Sequence, residues 1–302
     1  MSRIFDSYLI VDWSAASKPT TGADSIWIGA LTPDARMNLK FTAINPDTRA
    51  KAKAQLIAAI ERLTKRGDRV LLGFDFPMGY PVGTAQALKL NTTETPPWKA
   101  MHDFLSSGLK DKADNTNNRF ALAARMNRIM SDGAFPFWGC PKKDVITTLS
   151  DKKPRDHAED DIPEYRFAER RALSQKKGKP QSVWKLAYAG AAGGQAFTGI
   201  PAVQDLKSHF GNDMAIWPFE TGWVENPADL PQVVVAEIYP SILKITPESG
   251  RVKDEIQVES LAKWFAEIDS NGQLRTRLAR PEVVSEEESL EILAEEGWIL
   301  GI

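Results

Sequence analysis

Apolar and polar positions follow one another along the first quarter of the chain in an order that predicts an α/β fold. Three apolar or alternating segments predict strands joined by short turns, at residues 7–13, 24–31 and 37–44. A helix is predicted next, because apolar residues recur every three or four positions from Ala52 to Leu63. Asp47 or Thr48 can cap its start. Residues 69–75 predict a fourth strand, so the order is β-β-β-α-β.

The pattern is less regular through the middle of the chain. Helices are predicted there at residues 98–105, 117–131 and 164–175, and a short one at 205–210. The segment 189–199 is rich in small residues and lacks the spacing of a phosphate-binding loop, which favours a closely packed helix or a mobile flap.

Regular elements return towards the end of the chain. Residues 232–238 predict the clearest strand of the second half, and residues 256–269 the clearest helix. Ser285 and Glu288 form a capping-box pattern before a final helix. We therefore predict one α/β domain over residues 1–302. It has a mixed five-stranded core sheet flanked by helices, and a mainly helical insertion at about 78–230 between the fourth and fifth core strands.

Composition narrows the possible partners and metals. Of 302 residues, 38 are basic and 40 are acidic, so no global positive charge indicates nucleic-acid binding. Cys140 is the single cysteine, which excludes a disulfide within the chain and a thiolate zinc site. The three histidines, at positions 102, 157 and 209, are far apart in sequence. A bound metal would therefore have mostly oxygen ligands, which favours Mg²⁺, Mn²⁺ or Ca²⁺ over Zn²⁺.

The apolar stretches are all short. The N-terminal one is interrupted by Asp12, and it is too short for a signal-peptide core or a membrane span. No later segment approaches the length of a membrane span. We expect a cytoplasmic protein with no membrane partner. The sequence does not indicate whether the protein is a monomer or an oligomer.

Acidic residues stand at the ends of the predicted strands. Asp12, Asp75 and Glu237 each follow a hydrophobic run, and Asp254 precedes the helix predicted at 256–269. In open α/β sheets ligands bind at the carboxyl ends of the strands. Carboxylates that converge there repel one another, which raises a pKa or favours a bound cation. A divalent cation can activate water or hold a phosphate.

Several short motifs resemble those of a bacterial domain family of unknown function that is classed as predicted RNase H-like nucleases. The resemblance extends over about residues 8–269, and the order and spacing of the motifs carry it. The motifs are VDWSA with Asp12, FDFPMGYP with Asp75, YRFAE with Arg166 and Glu169, EIYPS with Glu237, and KDEIQVESLA with Asp254.

The resemblance implies a ribonuclease H-like fold in which acids of the first strand, the fourth strand and the last core helix bind metal. Carried over, these acids are Asp12, Asp75 and Asp254, with Glu237 nearby. Family members often have an Asp inside the last helix. This chain has Gln257 and Glu259 in that stretch, which weakens the metal site or shifts the role to Asp254 or Glu259.

The leading hypothesis is a metal-dependent phosphodiester hydrolase that uses Mg²⁺ or Mn²⁺ and acts on nucleic acid or a phosphorylated small molecule. Asp12, Asp75 and Asp254 would bind the metal, and Glu237 would ligate it or position water. Arg166 would hold the phosphate, and Ser14 would contact metal or phosphate. One alternative is a nucleotide-binding phosphotransferase of the actin or sugar-kinase type, although no glycine-rich loop follows Asp12. Another is a non-catalytic scaffold with the same fold.

Overall fold

A mixed sheet of six strands forms the centre of the protein in a computed structural model that describes residues 3–188 and 190–302. In chain order its strands are β1 (Ser7–Asp12), β2 (Trp27–Pro33), β3 (Leu39–Ile44), β4 (Val70–Phe74), β5 (Met214–Ile216) and β6 (Val233–Glu237). Their spatial order is β3-β2-β1-β4-β6-β5. The predicted α/β class with a mixed sheet is confirmed.

Nine α-helices accompany the sheet in the described part of the chain. They are α1 (Arg49–Lys65), α2 (Thr84–Ala87), α3 (Pro97–Gly108), α4 (Arg119–Ser131), α5 (Phe167–Ser174), α6 (Ala192–Phe210), α7 (Lys253–Ser270), α8 (Gln273–Leu278) and α9 (Glu286–Glu291). A single π-helical turn, Ile292–Glu296, follows α9. Within the described residues, none of the helices combines the length and apolar character needed to cross a bilayer.

The first three strands, which the sequence predicts to be joined by short turns, form an antiparallel meander. β1 pairs with β2 and β2 with β3, both antiparallel. The second strand begins at Trp27, three residues later than predicted, because Gly22 to Ser25 form a turn in which Ser25 Oγ donates to the Gly22 carbonyl at 2.7 Å. β3 lies at the sheet edge and has no fully buried residue, whereas β1 is buried along nearly its whole length.

Helix α1 begins and ends close to its predicted positions. The Thr48 hydroxyl accepts a hydrogen bond from the backbone N–H of Lys51 at 3.3 Å, so Thr48 is the N-cap. Leu56, Ile60 and Leu63 lie on its buried face, at the helical spacing seen in the sequence. The capping box of Ser285 and Glu288 is also present, at the start of α9.

The centre of the sheet is parallel. β4 pairs with β1 on one side and with β6 on the other, and every residue of β4 and β6 is buried. β5 pairs with the outer edge of β6 and brings the number of strands to six, where five were predicted. Its three residues are too few to show a strand period in the sequence.

Two apolar clusters cover the two faces of the sheet. Residues of α1, α3, α4 and α6 contribute to one cluster, and residues of α7 and α8 contribute to the other. The helix predicted at 205–210 is the last part of the 19-residue α6. Gly199 permits this helix to lie close to the core, because a Cβ at that position would be 2.3 Å from the ring of Phe76.

Candidate active site

Two carboxylates face each other where the neighbouring parallel strands β1 and β4 end. Val11 pairs with Phe74 in the sheet register. Asp12 and Asp75 therefore occupy equivalent positions one residue further on. Their side chains are close enough to share a hydrogen bond when one of the two carboxyl groups carries a proton. Both line a cleft of about 750 Å³. The backbone N–H of Trp13 donates to Oδ1 of Asp75 at 2.7 Å, which holds this carboxylate in place.

The environment of this pair favours the protonated form of both acids. Burial raises the pKa of Asp12 well above its ordinary value, and the charges of Asp75 and Asp254 raise it further. Burial raises the pKa of Asp75 to about 7, against the lowering effect of hydrogen bonds from Trp13 and Gln195. Two carboxyl groups this close do not both ionise without a compensating positive charge. At neutral pH the pair either retains a proton or binds a cation.

Asp254 approaches the same cleft from the first turn of α7. It is half-buried, and its Oδ2 accepts a hydrogen bond from the backbone N–H of Asp24 at 2.8 Å. Its charge is close enough to Asp12 to raise the pKa of that residue. The pKa of Asp254 is itself raised, mainly by burial. The structure thus places all four predicted acids, Asp12, Asp75, Glu237 and Asp254, on the lining of one cleft. It adds Asp24, which the sequence did not single out.

Ser14 lies on the wall of the cleft directly after Asp12. Its hydroxyl donates to the carbonyl of Asp24 at 3.3 Å and accepts the backbone N–H of Ala16 at 3.2 Å. These two bonds shape the turn that leads the chain away from β1. Ser14 therefore stabilises this turn, and it also borders the cleft.

Gln195 is a site residue that the sequence did not reveal. It lies in the first turn of α6, and its side-chain amide donates to Oδ2 of Asp75 at 3.1 Å and to the carbonyl of Trp13 at 2.5 Å. The bond to Asp75 favours the ionised carboxylate. A single glutamine in a segment of small residues has no sequence pattern that would indicate this contact.

Glu237 also ends a strand and lines the same cleft, but its carboxylate pairs with Arg166. It pairs with Phe74 in the register, one residue before the level of Asp75. Its Oε1 accepts from Arg166 at 2.6 Å, and its Oε2 accepts from Arg166 at 2.9 Å and from the backbone N–H of Met78 at 3.0 Å.

Arg166 is enclosed in the protein with its guanidinium fully used. Its Nε and Nη2 donate to Glu169, and Nη1 and Nη2 donate to Glu237. The remaining Nη1 hydrogen bonds to the carbonyl of Glu296 at 2.8 Å. All five N–H groups therefore have partners, and the side chain is 0% exposed. This geometry does not support the predicted phosphate contact for Arg166; with Glu169 and Glu237 it forms a buried ion network.

Known proteins provide no template for this site. No protein-family model, curated protein or solved structure matches the chain.

The donor set of the cleft suits a hard divalent cation held by few protein ligands. Among residues 3–188 and 190–302, no group of three or more His, Cys, Asp or Glu side chains has a metal-holding arrangement. Asp12 and Asp75 are nevertheless in hydrogen-bond contact, and such a pair is relieved by a shared cation. Mg²⁺ commonly binds through one or two carboxylates and completes its shell with water and substrate phosphate. The two aspartates fit that mode of binding, with Asp254 further out.

Proposed function

We propose that the protein is a metal-dependent phosphodiester hydrolase built on a ribonuclease H-like sheet. The observation that carries the proposal is the contact between Asp12 and Asp75 at the ends of adjacent parallel strands, beside an open cleft. Supporting it is the strand order, with an antiparallel meander β1–β3 followed by β4 and β6 parallel to β1. Strand ends of this kind are the usual ligand sites of α/β sheets.

In this proposal Asp12 and Asp75 hold Mg²⁺ or Mn²⁺, and Asp254 adds negative charge from the other side of the cleft. The bound cation would supply charge neutralisation for a phosphate and a lowered pKa for water. Gln195 and the backbone N–H of Trp13 keep Asp75 oriented and favour its ionised form. Substrate candidates are nucleic acid and phosphorylated small molecules.

Glu237 has a different part in this proposal from the one that the sequence predicted. Its two oxygens are held by Arg166 and by the backbone N–H of Met78. The segment after β4 that carries Asp75 also carries Met78, so the network of Arg166 supports the shape of that segment. We propose a positioning role for Glu237 and none as a metal ligand.

The proposal is tested by hydrolysis assays with Mn²⁺ and with Mg²⁺. Substrates are single- and double-stranded DNA and RNA, and bis(p-nitrophenyl) phosphate as a generic phosphodiester. Asp12→Asn and Asp75→Asn are compared with wild type, and Asp132→Asn is the matched control because Asp132 is exposed at the end of α4. We expect activity in wild type and control, and a loss of at least about a hundredfold in both site variants. Equal activity in all four proteins, or none in any of them, contradicts the proposal.

Metal binding gives a second measurement that does not depend on finding the substrate. Calorimetric titration with Mn²⁺ should show a saturable site in wild type and in Asp132→Asn. Asp12→Asn should abolish that site. The pKa of Asp12 is raised in the folded protein, so this group opposes folding at neutral pH. An uncharged Asn removes that cost, and Asp12→Asn should therefore raise the melting temperature in metal-free buffer. Identical Mn²⁺ isotherms for wild type and Asp12→Asn would exclude Asp12 as a ligand.

A further inference from the structure

Three arginines are buried in the described part of the chain, and two of them are fully paired. Arg49 and Arg166 are 1% and 0% exposed. Arg49 binds both oxygens of Asp111 and uses its other N–H groups on three backbone carbonyls. Arg166 uses all of its donors as well. Each of these two buried guanidinium groups therefore has at least one carboxylate partner and an acceptor for every N–H group.

Arg119, at the start of α4, is buried without such a set of partners. It is 7% exposed. Its Nη1 donates to the hydroxyl of Ser17 at 2.9 Å and to Oδ1 of Asn117 at 3.0 Å, both uncharged. Its guanidinium lies over the ring of Phe120, 4.3 Å from the centroid. Among the described residues Nε has no hydrogen-bond partner, and no carboxylate forms a salt bridge with Arg119.

The surroundings of Arg119 make this positive charge unfavourable until an anion joins it. Burial and the adjacent charge of Arg49 lower the pKa of Arg119 to about 10. Asp111 and Asp144 act on it in the opposite direction from outside salt-bridge distance. The guanidinium remains protonated at neutral pH. A buried cation with an unused donor is unfavourable, and a bound anion would offset that cost.

Arg119 lines the same cleft as Asp12 and Asp75, and Lys179 and Lys253 add positive charge along its walls. We propose that Arg119 is the receptor for a phosphate group of the molecule that occupies the cleft. Nε and Nη2 together form the side of a guanidinium that matches two oxygens of one phosphate. Nε is shielded from solvent in this structure, so the surrounding side chains shift slightly when the phosphate binds.

The identity of that phosphate rests on the proposed function. It is the phosphate whose ester bond would be cut beside Asp12 and Asp75. Arg119 takes the place of Arg166 as the phosphate contact, because Arg166 has no free donor and Arg119 has one. The phosphate contact itself does not require a metal. It can therefore be measured in the metal-free protein, independently of hydrolysis.

The experiment uses the full chain in EDTA with ¹⁵N-labelled arginine, and follows the arginine Nε–H resonances during titration with inorganic phosphate. The Arg119 resonance is assigned through its backbone in wild type, so the result does not depend on a variant folding. We expect a saturable shift at Arg119 and none at Arg128, which is exposed on the same helix. Arg119→Gln should weaken phosphate binding at least about tenfold, or about 1.4 kcal/mol, and Arg128→Gln should leave it unchanged.

Further titrations identify the source of the phosphate and separate this inference from the proposed function. A thymidine dinucleotide should give the same shift at Arg119, and acetate should not. Asp12→Asn should bind phosphate about as tightly as wild type, because the aspartate pair of the metal-free protein already retains one proton, while its hydrolysis is lost. Absence of a saturable shift at Arg119, an equal response to acetate, or a response to phosphate but not to the dinucleotide each overturns the assignment. A shift at Arg119 in a protein that hydrolyses nothing refutes the proposed function alone.

Discussion

The buried ion network of Arg166 gives the sharpest prediction of stability. Arg166 is completely enclosed, and its partners Glu169 and Glu237 have side chains that are only 4% and 5% exposed. Arg166→Met keeps much of the volume and removes the only cation that pairs with these two acids in the described part of the chain. Removing one partner of a buried ion pair costs about 3–5 kcal/mol, because the other charge is left uncompensated.

The expected loss is measured by urea denaturation, followed by tryptophan fluorescence at pH 7. Lys99→Met is the matched control, because Lys99 pairs with Asp103 at the surface and exposed pairs contribute about 1 kcal/mol or less. The triple variant Arg166→Met, Glu169→Gln, Glu237→Gln should recover part of the stability, since none of its three new side chains carries a charge. A loss below about 1 kcal/mol in Arg166→Met would refute the network as described.

The pH dependence of this loss also has a defined sign. Burial raises the pKa of Glu237 in the wild-type protein, and the charge of Arg166 opposes the rise. Without Arg166 the pKa of Glu237 rises further. A carboxyl whose pKa is raised in the folded state favours folding at low pH, and this contribution disappears as the pH rises through the raised pKa. The stability deficit of Arg166→Met should therefore shrink as the pH falls from 7 towards 4.5. A constant or growing deficit would contradict the argument.

Three further predictions concern other contacts. Gly199→Ala should lower the free energy of unfolding by about 1–3 kcal/mol, because the new Cβ would lie 2.3 Å from the Phe76 ring. Thermal melts test this, and adding Phe76→Leu to the Gly199→Ala protein should restore part of the loss. Gln195→Leu should raise the pKa of Asp75 above its value of about 7, since a hydrogen bond to the carboxylate is lost; carboxyl ¹³C NMR titration measures it, and an unchanged pKa would refute the contact. Burial lowers the pKa of His102 from 6.5 to about 4. The neutral imidazole therefore contributes roughly 3 kcal/mol to the free energy of unfolding above pH 6.5, and this contribution is lost as the pH falls through 4. Denaturation curves should therefore show a smaller acid-induced loss in His102→Gln than in wild type.

Local patterns in the sequence predicted much of the sheet and several helix ends. The meander β1–β3, the helix with its Thr48 cap and the strand β6 were all visible. Each depends on side-chain periods and caps that involve residues within a few positions of one another, so no knowledge of distant contacts was needed. The acids Asp12 and Asp75 were found for the same reason, because each directly follows a recognisable buried strand.

Only the tertiary structure decided which strand-end acids meet. Glu237 lines the same cleft as Asp12 and Asp75, but its carboxylate pairs with Arg166, whereas Asp12 and Asp75 lie against each other. Arg166 and Gln195 come from segments whose sequence has no pattern linking them to either face. Their partners are 71 and 120 residues away. The sequence by itself therefore determined an α/β chain with Asp12 and Asp75 as candidates. Packing decided that these two acids share a cleft with Arg119 and that Glu237 pairs with Arg166, because register and helix placement depend on contacts that no short stretch of chain contains.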